Sequence, residues 1–78
     1  MIHVDAVNKL LRNYEENHIE FSISYRSKSD GRLVSGIVVC TSSNYERKTA
    51  NIKFINSGEI KTLRTALILS LNDIPVYL

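Results

Sequence analysis

The segment IEFSISYRSKSDGRLVSGIVVCT, residues 19–41, decides how the chain is read. In its first half Ile19, Phe21, Ile23 and Tyr25 alternate with Glu20, Ser22, Ser24 and Arg26, the period-2 pattern of a strand with one buried face. In its second half apolar side chains fall on both parities, as in a central strand with neither face fully wet. Between the halves, Asp30 and Gly31 supply the positive φ that a tight hairpin needs.

Two registers are open. A two-residue turn at Asp30 and Gly31 sets Phe21 opposite Cys40 and Ile23 opposite Val38, leaving Ile37 and Val39 on the serine face. A three-residue loop with a bulge at Gly31 sets Phe21 opposite Val39 and Ile23 opposite Ile37, so that Val34, Val38 and Cys40 face outward. The bulged loop is the expected one, because it gathers Phe21, Ile23, Ile37 and Val39 on one side.

Upstream, Val4, Val7, Leu10, Leu11 and Tyr14 recur at helical spacing with polar residues on the opposite arc, which predicts an amphipathic helix over 3–16. Asn17 is the expected left-handed terminator. Downstream, residues 42–48 read as a long polar loop and 49–55 as a third strand with Ala50, Ile52 and Phe54 on one side. Asn56 and Glu59 have the spacing of a capping box, with Ser57 as the alternative cap. Ile60, Leu63, Leu67 and Leu71 then predict a second, more buried helix ended by Asn72 and Asp73. The tail from Ile74, with Pro75, is either a short edge strand or an extended arm.

The expected fold is therefore α+β, in the order α-β-β-β-α, as one domain spanning 1–78. A three-stranded antiparallel sheet carries both helices on one face, with a fourth short C-terminal edge strand if the tail pairs. The expected core is Val7, Leu10, Leu11, Phe21, Ile23, Ile37, Ile52, Phe54, Leu63, Leu67 and Leu71. With 78 residues the chain buries only about 60% of its unfolded surface, so association with a second copy would help it.

Composition excludes more than it identifies. Apolar content of 44% with 23% charged residues is that of a globular chain rather than a disordered one, and no apolar run is long enough to span a bilayer. No secretory pattern opens the chain, and the single Cys40 reads as a small buried hydrophobe in a reducing compartment, so a cytoplasmic location is expected. The formal charge of +2 names no partner by itself.

No catalytic or cofactor-binding constellation stands out. His3, His18 and Cys40 lie on separate elements at no zinc-ligand spacing, so no metal and no cofactor are expected. Cys40 lacks an adjacent base, the carboxylates read as helix surface or cap, and there is no glycine-rich phosphate loop. A low-pKa Cys40 beside His18 would reopen an enzymatic reading.

The basic residues carry the main signal. Lys28 and Arg32 flank the hairpin turn, Arg47 and Lys48 end the long loop, and Lys61 and Arg64 lie at the start of the predicted second helix, where free N–H groups would also meet a phosphate. These six are the candidate nucleic-acid-binding residues. A second candidate is the outer sheet face, where Arg26, Val38, Lys53, Ile55 and Tyr77 would form a mixed apolar and basic stripe for a protein partner. Two functions follow: a non-enzymatic nucleic-acid-binding module, or a protein-interaction or assembly module, either a homodimer or a small accessory or inhibitor protein of a phage or mobile element.

The expected element order is similar to that of the double-stranded RNA-binding domain. That resemblance is one of layout over most of the chain, and it implies that residues 29–32 and the cations Lys61 and Arg64 meet successive phosphates of an A-form duplex. The family's Gly-Pro-x-His loop and Lys-Lys-x-Ala-Lys run are absent from this sequence.

Overall fold

The computed structural model describes residues 1–77. Its elements are β1 (Ile2–His3), α1 (Val4–Glu16), β2 (Glu20–Arg26), β3 (Leu33–Asn44), β4 (Thr49–Phe54), β5 (Ile60–Arg64), a 3-10 turn (Thr65–Leu67), β6 (Ile68–Leu71) and β7 (Ile74–Tyr77). The seven strands form one mixed sheet in the order β1-β7-β6-β2-β3-β4-β5, and only the β1–β7 pair is parallel. The expected three-stranded sheet with two helices is thus replaced by one helix and seven strands.

A single short connection sets the shape of this sheet. β5 and β6 stand four strand spacings apart in sheet order, which in a flat sheet is roughly 19 Å. Only Thr65–Leu67 joins Arg64 to Ile68, and four Cα steps reach at most about 15 Å. The sheet must therefore curl, bringing β5 back toward β6 and β2 as an open barrel.

Helix α1 forms as its periodicity predicts. The His3 side chain accepts from the Asp5 N–H at its start, and Val7 and Leu11 are completely buried. The helix packs chiefly on β3, and the Tyr14 ring lies 4.6 Å from that of Phe21, so it closes one end of the curled sheet. The left-handed residue at its end is His18 (φ 53°) rather than Asn17.

The β2–β3 register is neither of the two expected. Phe21 pairs with Val38, Ile23 with Gly36 and Tyr25 with Val34. The reason lies in the connecting loop 27–32. The Ser27 N–H donates to the Arg32 carbonyl, the Gly31 N–H donates to Ser27, and the Asp30 carboxylate accepts from the Arg32 N–H. Asp30 and Gly31 thus work inside a wider loop. The slip turns Val38 and Cys40 into the core and leaves Ile37, an expected core residue, 48% exposed. Val38, placed by sequence on the outer face, is fully buried against the helix end of the sheet.

The predicted second helix over 60–71 is two strands and a 3-10 turn. Its i, i+3 spacing has another cause: a register shift in the β2–β6 ladder between Ser24 and Tyr25 turns both Ile68 and Leu71 inward. β-branched Ile60, Thr62, Thr65 and Ile68 also suit a pleated surface better than a helix. Asn56 and Glu59 belong to a hairpin turn, with Gly58 at φ 72° and the Gly58 N–H donating to Phe54. Asn72 and Asp73, expected to end the helix, are both left-handed (φ 51° and 63°) and form the β6–β7 hairpin turn. The tail becomes β7, interior to the sheet between β6 and β1, with Pro75 opposite Ser70. Residues 42–48 are likewise not a long loop, since β3 runs on to Asn44 and only 45–48 turn.

Asn72 ties the last hairpin to the rest. Its N–H donates to the Ser22 carbonyl, its side-chain oxygen accepts from the Ser22 N–H, and its side-chain nitrogen donates to the Tyr14 hydroxyl. Asn72→Ala should lower unfolding stability by about 2 kcal/mol, because it loses both the side-chain bonds and the residue type that tolerates a left-handed backbone. Asn72→Gly, which keeps the backbone freedom, should recover part of that loss. Urea denaturation of the three proteins checks the ranking.

Candidate binding groove

A concavity of about 650 Å³ lies where the curled sheet fails to close. One bank is β5 with Glu59, and the other is the end of β2 with the loop that follows it. Leu67 of the 3-10 turn and Ser57 of the β4–β5 turn also line it. Tyr25, Val34, Phe54 and Leu63 supply most of its apolar lining. The volume is that of an ordinary ligand or side-chain pocket.

Each lining residue arrives there through strand parity. Tyr25 and Val34 are opposite one another on β2 and β3, while Lys61 and Leu63 oppose Ile52 and Ala50 on β4. Lys61 therefore lies on the inward parity of β5 next to Leu63. Its ammonium meets the Glu59 carboxylate at 2.8 Å. That hydrogen bond and charge hold the Lys61 pKa above its usual value. Burial raises the Tyr25 phenol, with Lys61 drawing it down and Glu59 pushing it up. At neutral pH the groove thus presents a protonated phenol, a neutralised ion pair and further cations at its rim.

Of the six basic residues singled out from sequence, Lys28, Lys61 and Arg64 line this groove, joined by Arg26 from the second candidate set. Lys48 lies beside the groove's end through its backbone, whose carbonyl accepts from the Thr65 N–H and hydroxyl. Its ammonium sits 4.8 Å over the Tyr45 ring. Arg47 shares that turn, and Arg32 lies at the foot of β3; neither lines the groove. Lys61 and Arg64 stand on a strand, so no helix N-terminus faces them and the duplex-binding layout implied by the resemblance is absent.

The outer-face stripe does not assemble as expected. Val38 is buried, Arg26 turns to the groove rim, where its guanidinium donates to the Gly31 carbonyl, and Tyr77 stacks edge-on against His3 at the far margin of the sheet. Lys53 and Ile55 do lie outward, with Ile55 next to Ile37. Glu59, Ser27, Ser29 and Phe54 were not anticipated in the site. Glu59 and Lys61, two apart, share a face only when 60–64 is read as a strand.

Cys40 is buried, and its thiol donates to the Ser42 carbonyl. His18 and Glu15 line a shallow depression with it. Burial, reinforced by Glu15 and opposed by the Ser42 contact, pushes the thiol up to about 11 from 9.0, away from the thiolate form. Among the described residues no three of His, Cys, Asp and Glu are grouped to hold a metal ion. No described helix is long and apolar enough to cross a membrane. Comparison with protein-family models, with curated proteins and with solved structures returned no match.

Two outcomes test this geometry. A Cβ at Gly36 would meet the Phe54 ring at 2.9 Å, so Gly36→Val should drive that ring into the groove and cost about 1–3 kcal/mol, read by denaturation and by Phe54 ring shifts in NMR. The raised Cys40 thiol makes folding tighten its proton. Its contribution is therefore full below pH 9 and is lost as the pH rises through about 11, roughly 2–3 kcal/mol in all. In Cys40→Ala the alkaline decline should be shallower, the remainder coming from Tyr25 and Lys61.

Proposed function

We propose that the protein is a non-enzymatic interaction module of a reducing cytoplasm, and that its binding site is the open groove between β5 and the end of β2. The observation that carries this reading is the joint presence of an apolar floor, a basic rim and an unpaired strand margin at one place. Neither reactive side chains nor a metal-ligand group accompany them. An apolar floor suits aliphatic or aromatic side chains, and the rim of Arg26, Lys28 and Arg64 suits carboxylates. The partner read from this chemistry is an anionic segment of another protein.

A second reading, a nucleic-acid-binding module, is favoured by the convergence of Arg26, Lys28, Lys61 and Arg64 on one concavity, with Lys48 and Arg47 at the neighbouring turn. A narrow groove with cations along it can follow a phosphate backbone. The apolar lining and the Glu59 carboxylate inside the groove weigh toward protein.

One NMR titration separates the two. The labelled protein is titrated with a blocked octapeptide of alternating Glu and Val, a mixed-sequence duplex and a single strand of about twelve nucleotides, each at low and moderate salt. Amides of 25–29 and 59–64 are expected to shift with the peptide and only weakly with nucleic acid. Strong, salt-reversible shifts with duplex or single strand establish the second reading, and silence of the groove toward all three ligands overturns the module as proposed.

A further inference from the structure

β5 is the last strand of the sheet order, and among the described residues no strand pairs with its outer side. Which of its main-chain groups are free follows from the ladder. The Phe54 N–H donates to the Glu59 carbonyl, and antiparallel bonding alternates along the strand, so Lys61 and Leu63 turn their peptide groups toward β4. Ile60, Thr62 and Arg64 turn theirs away, into the gap that the groove occupies. The other margin of the sheet, β1, has two residues and runs straight into α1.

We propose that β5 accepts an added strand from a partner protein, an extended segment that alternates apolar and acidic residues. This deepens the reading of the groove as a protein-binding site and rests on it. Main-chain bonds to Ile60, Thr62 and Arg64 set the register, and alternate side chains of the segment enter the groove over Leu63, Phe54 and Leu67. The intervening carboxylates stand at the rim. Charge selects them: among the described residues, Arg26, Lys28 and Arg64 have no carboxylate within ion-pair distance, whereas Lys61 is already matched by Glu59.

The same charges disfavour a second copy of this chain. Pairing β5 with itself sets another Lys61 and Arg64 beside the first pair, and among the described residues Glu59 is the only carboxylate lining the groove. A short strand carrying an inward lysine is a known guard against self-pairing, so the margin is protected from copies of itself and open to an acidic strand.

The test uses the blocked Glu/Val octapeptide, the Lys/Val counterpart, and the Glu/Val peptide N-methylated at alternate residues. Thr62→Pro removes one outward N–H and the hydroxyl bond to the Asn51 side chain while leaving the main-chain bonds to β4 in place, and the β4 amide spectrum reports whether that variant keeps its fold. Binding of the Glu/Val peptide should slow exchange of the Thr62 amide at least tenfold. Thr62→Pro and N-methylation should each weaken binding tenfold or more, and the Lys/Val peptide should not bind. If the groove shifts equally in Thr62→Pro and with the N-methylated peptide, the segment docks by side chains alone; the interaction site then stands and strand addition falls. Equal binding of the Lys/Val peptide overturns the acidic preference. Concentration-dependent self-association abolished by Thr62→Pro assigns the margin to a second copy and overturns the proposal.

Discussion

The step from Arg64 to Ile68 is too short for a flat sheet, and the architecture follows from that shortage. Because β5 and β6 are separated by three other strands yet joined by one 3-10 turn, the sheet has to roll until its margins approach. Rolling gives the strands a common inner face, on which Phe21, Ile23, Val38, Ile52 and Leu71 become a core. It also leaves an opening at each end. Helix α1 fills one with Val7 and Leu11. The other is the groove, which exists because the roll brings β5 near β2 without any hydrogen bond between them.

Much of the chemistry in that groove is a by-product of parity. On the inward positions of β5 the chain places a lysine where a fully closed barrel would want an aliphatic residue, and it supplies a glutamate two positions earlier to offset it. That ion pair stands half-exposed at the mouth of the groove, where water still reaches both charges. Gly36 does not line the groove but leaves room for the Phe54 ring that does, since any side chain there would displace that ring.

What could be read from sequence follows the strength of the local pattern. The amphipathic helix, the alternation of Phe21, Ile23 and Tyr25, and that of Ala50, Ile52 and Phe54 are each signalled within a few residues and recur in the structure. Residues 60–71 misled because their apolar spacing comes from a bulge, a feature set by the neighbouring strand β2 and invisible in the segment itself. Asn72 and Asp73 fit a helix end as well as a hairpin turn, and only the pairing of Leu71 with Ile74 decides between them. The hairpin register depended on how the Asp30 carboxylate is used. The groove was partly legible: Lys28, Lys61 and Arg64 were singled out for their charge, but their meeting with Arg26, Tyr25 and Phe54 depends on the roll, which no short window encodes.

The parallel pairing of β1 with β7 has a temporal side. Ile2 lies beside Val76 and His3 beside Tyr77, so β1 is locked by residues made more than seventy positions later. On the ribosome α1 has no completed surface to settle on until β6 and β7 have emerged, and its apolar stripe stays available to other binders during that interval. Acquisition of the native state is therefore tied to the emergence of the β6–β7 hairpin. A nascent chain arrested before Asn72 would present an amphipathic helix with no strand to anchor its start, a species that protein quality control can recognise.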